Sequence, residues 1–368
     1  MTRSGSCRPM ADAGGATSVN STTDTDTDST SSSDNSTDSG SVAASPGPDV
    51  GLFGPSSMTW RVHSDPSMII AGIRALLLQG VHPLAMAGVA QHSAYRADPW
   101  GRLLRTATYV ETITYGTTEQ ARHAAERVRR VHACIRGIEP TSGRPYRAAD
   151  PELLLWVHAS EVESFLTTAR RCGLRLTDSQ ADAYFAEQVR AAELIGIPAE
   201  DVPDSRAAVA RYFARIRPHL RVTSQSHEMI SFILRPPMPR WVSRTTPARP
   251  AWSALSAIAV GMLPGWARRL YGLPDTPLLD AAACLGARAT RTALLALPRR
   301  LRQVPGSGDA TARRARTRPA RPVPDARMIP RDAPRRLVMT PPRQRTEEDP
   351  LPHQTRRLPA HLTVAPGR

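Results

Sequence analysis

DPWGRLLRTATYVETITYGTTEQARHAAERVRRVHACIRG, residues 98–137, holds two helices and the turn between them. Asp98-Pro99 is a capping residue followed by proline at a first-turn position, and Gly116 stops the first helix after Tyr115. Thr117 or Thr118 caps a second helix that runs through Ile135 to Gly137. A connection this short makes the two an antiparallel pair. On the first helix Arg102, Arg105, Thr106 and Tyr109 stand at i, i+3, i+4 and i+7, one face. On the second, Arg129, His132 and Arg136 stand at i, i+3 and i+7.

The same punctuation recurs outward from this pair. Ser67–Gln79 is apolar at helical spacing behind Asp65-Pro66, and His82-Pro83 separates it from Leu84–Tyr95. Asp150-Pro151 opens a long helix, Glu152–Cys172, which Gly173 closes. Thr177 with Gln180 three residues on is a capping-box pattern for Thr177–Ile195, ended by Gly196. Shorter periodic segments follow at 205–216, 226–234, 252–262, 265–271 and 278–297. Residues 140–146 read as a loop, and strand-like alternation is scarce, so the expected fold is all-α, a single helical domain.

Composition divides the 368 residues into three zones. Residues 1–57 contain 22 Ser or Thr and seven Asp, too little apolar surface to offset chain entropy, and are expected to be disordered. Residues 299–368 carry 17 Arg, six acids and 12 Pro with no apolar period, and the same expectation applies. The middle zone, 58–298, is long enough for one substantial core. The net charge is +15, and because the chain has no lysine every positive side chain is arginine. The basic tail suits weak contact with anionic surfaces; it lacks the aromatic residues that stack on bases, so no specific nucleic-acid partner is expected. Four cysteines without a CxxC pair exclude a disulfide scaffold and a zinc ribbon. No apolar run reaches the ~18 residues of a membrane span. The first thirty residues hold neither an apolar signal core nor an adjacent arginine pair. The expected location is therefore cytoplasmic.

A histidine with arginines one turn to either side suits an anionic group that needs a nitrogen ligand nearby. Haem is such a group: iron takes imidazole and the propionates take guanidinium. The competing reading is an arginine-rich helix surface with an incidental histidine. His158, on the 152–172 helix, stands either as a second pocket residue or as a packing histidine held by a hydrogen bond. Glu161 and Glu163 on that helix cannot share one face, so no di-carboxylate site is read there.

An ordered series of short motifs sharpens the choice. It comprises His82-Pro83, Asp98-Pro99, Arg102-x-x-Arg105-Thr106, Gly116, His132-x-x-x-Arg136-Gly137, Tyr146-x-x-x-Asp150-Pro151 and Leu154-x-Trp156-Val157-His158-Ala159. Tyr184, residues 194–198, and the later Leu263-Pro264-x-Trp266 and Tyr271-Gly272-Leu273-Pro274 extend it. The series resembles the bacterial family of latex-clearing rubber oxygenases, to which the fungal membrane-bound oxygenase of mycophenolic acid synthesis also belongs, over roughly residues 60–290. The resemblance implies an all-helical fold with a globin-like core that binds haem b. It implies that His132 is the proximal iron ligand and that Arg102, Arg129, Arg136 and Thr106 line the haem pocket; His158 stands as a candidate pocket residue beside its packing reading. Arg105 occupies the position of a distal lysine; arginine stays protonated and does not ligate iron. Arg105 and Thr106 are the catalytic candidates. Where the rubber oxygenases place a glutamate base, sixteen residues before the first arginine, this chain has Met86. The function so implied is a haem b-dependent oxygenase acting with dioxygen on an apolar small molecule. The alternative is a haem- or ligand-binding protein that kept the pocket and lost the base.

Overall fold

The structure, a computed structural model, describes residues 49–298; residues 1–48 and the Arg/Pro-rich zone from 299 onward lie outside the described residues. Thirteen α-helices and one two-stranded hairpin make up this region. In chain order they are α1 (Met58–His63), α2 (Met68–Gln79), α3 (Pro83–His92), α4 (Pro99–Tyr115), α5 (Thr118–Cys134), β1 (Arg136–Ile138) and β2 (Pro145–Arg147). They continue with α6 (Pro151–Arg171), α7 (Asp178–Leu194), α8 (Arg206–Ile216), α9 (Ser224–Leu234), α10 (Arg240–Thr245), α11 (Ala248–Gly261), α12 (Gly265–Leu270) and α13 (Pro277–Ala296). The all-α expectation holds.

Local chemistry sets the boundaries. Asp98 and Asp150 each cap a helix with proline in its first turn, and Thr117 and Thr177 each close a full capping box, with Gln120 and Gln180. At the α4–α5 turn a Cβ on Gly116 would meet the Thr112 carbonyl at 2.4 Å, so only glycine lets the chain leave α4 here.

The core is centred on α2 and α6. Ile70, Leu77 and Leu78 of α2 pack with Trp156, Val162 and Leu166 of α6, and α11 and α13 cover them. One charged pair crosses this interface. Arg74 of α2 binds Glu163 of α6 at 2.6 Å, the Ser164 hydroxyl at 2.6 Å and the Met262 carbonyl at 2.9 Å. Burying the guanidinium is tolerable because every one of its polar contacts is satisfied.

Two sequence expectations change. The second helix of the opening stretch does not run to Gly137: it ends at Cys134, where Ile135 turns extended (φ −89°, ψ 115°). Arg136–Ile138 then pairs antiparallel with Pro145–Arg147, so the region read as a loop is a hairpin. Its turn is organised by Glu139, whose buried carboxylate accepts from the Thr141 and Ser142 backbone amides (2.9 and 2.7 Å) and from Arg221 (3.1 Å). Burial pushes the Glu139 carboxyl up, but the hydrogen bonds from the Ser142 hydroxyl and the Thr141 and Ser142 amides outweigh it and hold it down at about 2. The other change is at the start. Residues 49–57, placed by composition in the disordered zone, pack on the helices. Phe53 is 1 % exposed among Ile113, Ala121 and Ala125, and Asp49 accepts from the Thr118 amide and hydroxyl, both at 2.8 Å.

Among the described residues no single helix is long and apolar enough to cross a membrane; α2 and α3 together have the composition, bent by 105° at the break between them.

Candidate functional site

α4 and α5 fold back on each other, and α6 packs on α1, α2, α3, α7 and α13 rather than extensively on either of them. α4 contributes Arg102, Thr106 and Tyr109, α5 contributes His132, and α6 contributes His158 and Glu161. Arg102, Tyr109 and Glu161 are each enclosed deeply enough to shift their titration, yet each keeps some accessible surface, as residues lining an internal space do.

Arg102 and His132 are the electrostatic centre of this group. Arg102 donates to the Thr106 hydroxyl, which itself donates to the Arg102 carbonyl at 3.0 Å. No carboxylate pairs with Arg102 among the described residues, and burial, then the neighbouring Arg105, lowers its pKa. An enclosed guanidinium without a counter-charge is unfavourable unless an anion joins it. Burial, then the Arg102 charge, pushes the His132 pKa below the ordinary histidine value. His132 is thus a neutral imidazole at pH 7, the form that ligates a metal.

His158 is 7 % exposed, its Nε2 has no hydrogen-bond partner, and burial lowers it to about 4. His158 is thus packed in the interior, as one of its two readings had it, but without a hydrogen bond at Nε2. Glu161, one turn further along α6, makes no hydrogen bond or ion pair among the described residues, and burial raises it to about 7. Burial first, and the Glu161 charge after it, raise the Tyr109 and Tyr184 phenols. Behind Tyr184 lies a defined chain. The Thr114 hydroxyl donates to the Val110 carbonyl (2.7 Å), so it accepts from His63 Nδ1–H (2.8 Å), and His63 Nε2 in turn accepts from the Tyr184 hydroxyl (3.0 Å). α1 holds His63 in place because its first amides, Met58 and Thr59, donate to Glu187 of α7 at 2.9 and 2.7 Å.

The remaining expected residues stand apart. Arg105 has a side chain 60 % exposed and pairs with Asp98 at 3.1 Å. Arg129 is exposed on α5 with its stem beside Gly196. Arg136 is exposed on β1, opposite Arg147, so the shared helical face with Arg129 and His132 does not exist. Met86 is 1 % exposed in an apolar cluster with Tyr95 and Met229. His82 is the cap of α3, where Nδ1 accepts from the Ala85 amide at 3.3 Å and the ring lies against Trp156. An open depression of about 780 Å³ lies elsewhere, where the end of α6 meets α13, and none of the expected site residues lines it.

Sequence reasoning had no sign of His63, and it read Glu161 only as one of two carboxylates on different faces. The signal for Glu161 was its position three residues after His158, on the same side of α6.

The comparisons with curated proteins and with solved structures give no match. A protein-family comparison does: residues 60–296, nearly the whole helical region, match the family described as ER-bound oxygenase mpaB/B'/Rubber oxygenase, catalytic domain. The chain, with its helical architecture and its His132–Arg102 centre, belongs to this family of oxygenase catalytic domains.

Proposed function

We propose that the protein is a haem b-dependent oxygenase that acts with dioxygen on an apolar small molecule. The observation that carries this reading is the pairing of a neutral, partly buried His132 with an enclosed Arg102 that has no carboxylate partner. A porphyrin needs one imidazole from the chain and an anion-binding group for its propionates, and this pair offers one of each.

Bound haem would supply a redox-active iron for dioxygen chemistry. The chain's own residues would do the rest. His132 would hold the iron through Nε2. Arg102, steadied by Thr106, would receive a propionate. His158 of α6, whose Nε2 has no hydrogen-bond partner, would be a further pocket residue. Arg129 and Arg136, both exposed, would act only on groups at the rim. Arg105 would add positive charge near the reacting molecules after leaving Asp98, with which it makes only an exposed pair.

The alternative, a haem carrier without turnover, is favoured by one observation: position 86 is a methionine packed in an apolar cluster. Dioxygen uptake by the haem-loaded protein with candidate apolar substrates separates the two.

The test of the haem site is haem quantification, absorption spectroscopy and circular dichroism on His132→Ala and His158→Ala. His132→Ala should lose haem or hold it loosely with an altered Soret band, while His158→Ala keeps it. Full loading and an unchanged Soret band in His132→Ala would sink the assignment. Loss only in His158→Ala would move the ligand to α6.

A further inference from the structure

The depression of about 780 Å³ where the end of α6 meets α13 is lined by four arginines and by no carboxylate. Arg170 comes from the last turn of α6, Arg175 from the connection to α7, and Arg288 and Arg291 from α13. They are engaged differently. Arg170 is held by Asp178 at 2.9 Å and Arg291 by Asp65 at 2.8 Å. Arg288 donates from Nε to the Arg171 carbonyl at 3.1 Å, which fixes its stem across the α6–α13 contact, and it pairs with no carboxylate among the described residues. Arg175 has no carboxylate partner there either, and its own carbonyl accepts from Arg61 at 2.8 Å, which brings one more guanidinium beside it. The floor is open: a Cβ on Gly173, just past the end of α6 at φ +102°, would meet nothing within 4 Å. Leu174 and Leu176, both half-buried, give one part of the wall an apolar character.

Arginine is plentiful on this chain, and charge by itself selects no ligand. This place differs in being concave, of the size that small molecules occupy, and in holding two guanidinium forks with no counter-charge. Guanidiniums gathered around one hollow repel each other until an anion joins them, and the planar fork matches the oxygens of a phosphoryl group in bidentate fashion. We propose that the depression binds a small molecule carrying a diphosphate. Arg175 and Arg288, on different walls, would each take one phosphoryl group, with Arg170 and Arg291 beside them and the apolar part of the molecule on Leu174 and Leu176. None of the residues assigned to the haem site lines this depression, so the two readings stand or fall separately.

The test is titration calorimetry of the full chain with inorganic pyrophosphate at ~0.15 M salt, where a Debye length of ~8 Å screens diffuse attraction to the rest of the basic surface. A saturable site is expected. Arg175→Gln/Arg288→Gln should weaken it by roughly 10²-fold, the loss of two charge-assisted contacts. Arg240→Gln/Arg244→Gln removes the same charge from exposed positions on α10 and should leave it unchanged. Thr292→Glu keeps all four arginines, adds a carboxylate at an exposed lining position of α13, and should also weaken binding with the circular dichroism unaltered. Absence of a saturable site, or equal weakening in the two double variants, overturns the proposal. Phosphatidic-acid vesicles provide the other arm. If they carry down the unaltered chain but not Arg175→Gln/Arg288→Gln, and pyrophosphate does not bind, the arginines serve a lipid surface and the small-molecule site is refuted.

Discussion

His63 shows how one buried side chain can be fully determined by its neighbours. Thr114 spends its hydrogen on the Val110 carbonyl, so His63 must donate from Nδ1 and accept at Nε2, and burial lowers its pKa to about 3. Tyr184→Phe removes the donor to Nε2 while keeping the ring, and leaves a buried acceptor unsatisfied. We expect a loss of ~1–3 kcal/mol in urea unfolding, with the haem content unaffected. A neutral result would mean that water replaces the phenol. At this scale the sequence was legible where spacing alone fixes geometry: Arg102, Thr106 and Tyr109 share a face of α4, as their i, i+4, i+7 positions require. It was illegible where tertiary surroundings decide. A glutamate in a helix reads as a solvated charge, and nothing local tells that Glu161 is enclosed and Glu163 is held by an arginine ninety residues away in sequence.

Caps and breakers made most helices readable. Asp98, Thr117, Asp150 and Thr177 each act through side-chain oxygens on backbone amides a few residues on, which is local chemistry. The end of α5 was misread for the complementary reason: β1 exists only because a partner strand and the Glu139 turn lie across from it, and pairing is non-local. The segment 49–57 was misread because it was averaged with the Ser/Thr/Asp-rich zone before it, although its own Val50, Leu52 and Phe53 are apolar and Phe53 has a ready-made pocket between α4 and α5. Gly51 at φ +84° fits there only without a Cβ, which would meet the Gly116 carbonyl at 2.2 Å. Phe53→Ala should therefore cost ~3–5 kcal/mol, the usual loss for emptying a buried aromatic site. A fragment beginning at 58 should lose at least as much relative to one beginning at 49, because it also lacks the Asp49 contact with the start of α5. Equal melting temperatures for the two fragments would show that this docking contributes nothing.

The interior titratable groups together set how the whole molecule responds to pH. His63 and His158 have folded pKa values of about 3 and about 4 against an ordinary 6.5. Below pH 6.5 the unfolded chain takes up protons that the folded chain refuses, so stability falls as the medium is acidified, down to the folded values. Glu139 acts in the same direction lower down: its folded pKa of about 2 gives stability that is present above about 4.5 and lost as pH falls toward 2. Glu161 acts oppositely. Its folded pKa of about 7 lies above the ordinary 4.5, so between those values the folded state keeps a proton the unfolded state has released, and stability declines as pH rises. Above pH 7 that decline is complete, at most about 3 kcal/mol for a shift of this size. Glu161→Gln carries no titrating group and keeps the hydrogen-bonding shape of the protonated acid. It should melt higher than the unaltered protein at pH 8 and close to it at pH 4, so that the difference between the two curves opens from about pH 4.5 to 7. Thermal unfolding of both proteins across that range measures it directly. A difference that stays constant with pH would mean that Glu161 titrates alike in the folded and unfolded chains, and that its enclosure between α4, α6 and α7 places no burden on its charge.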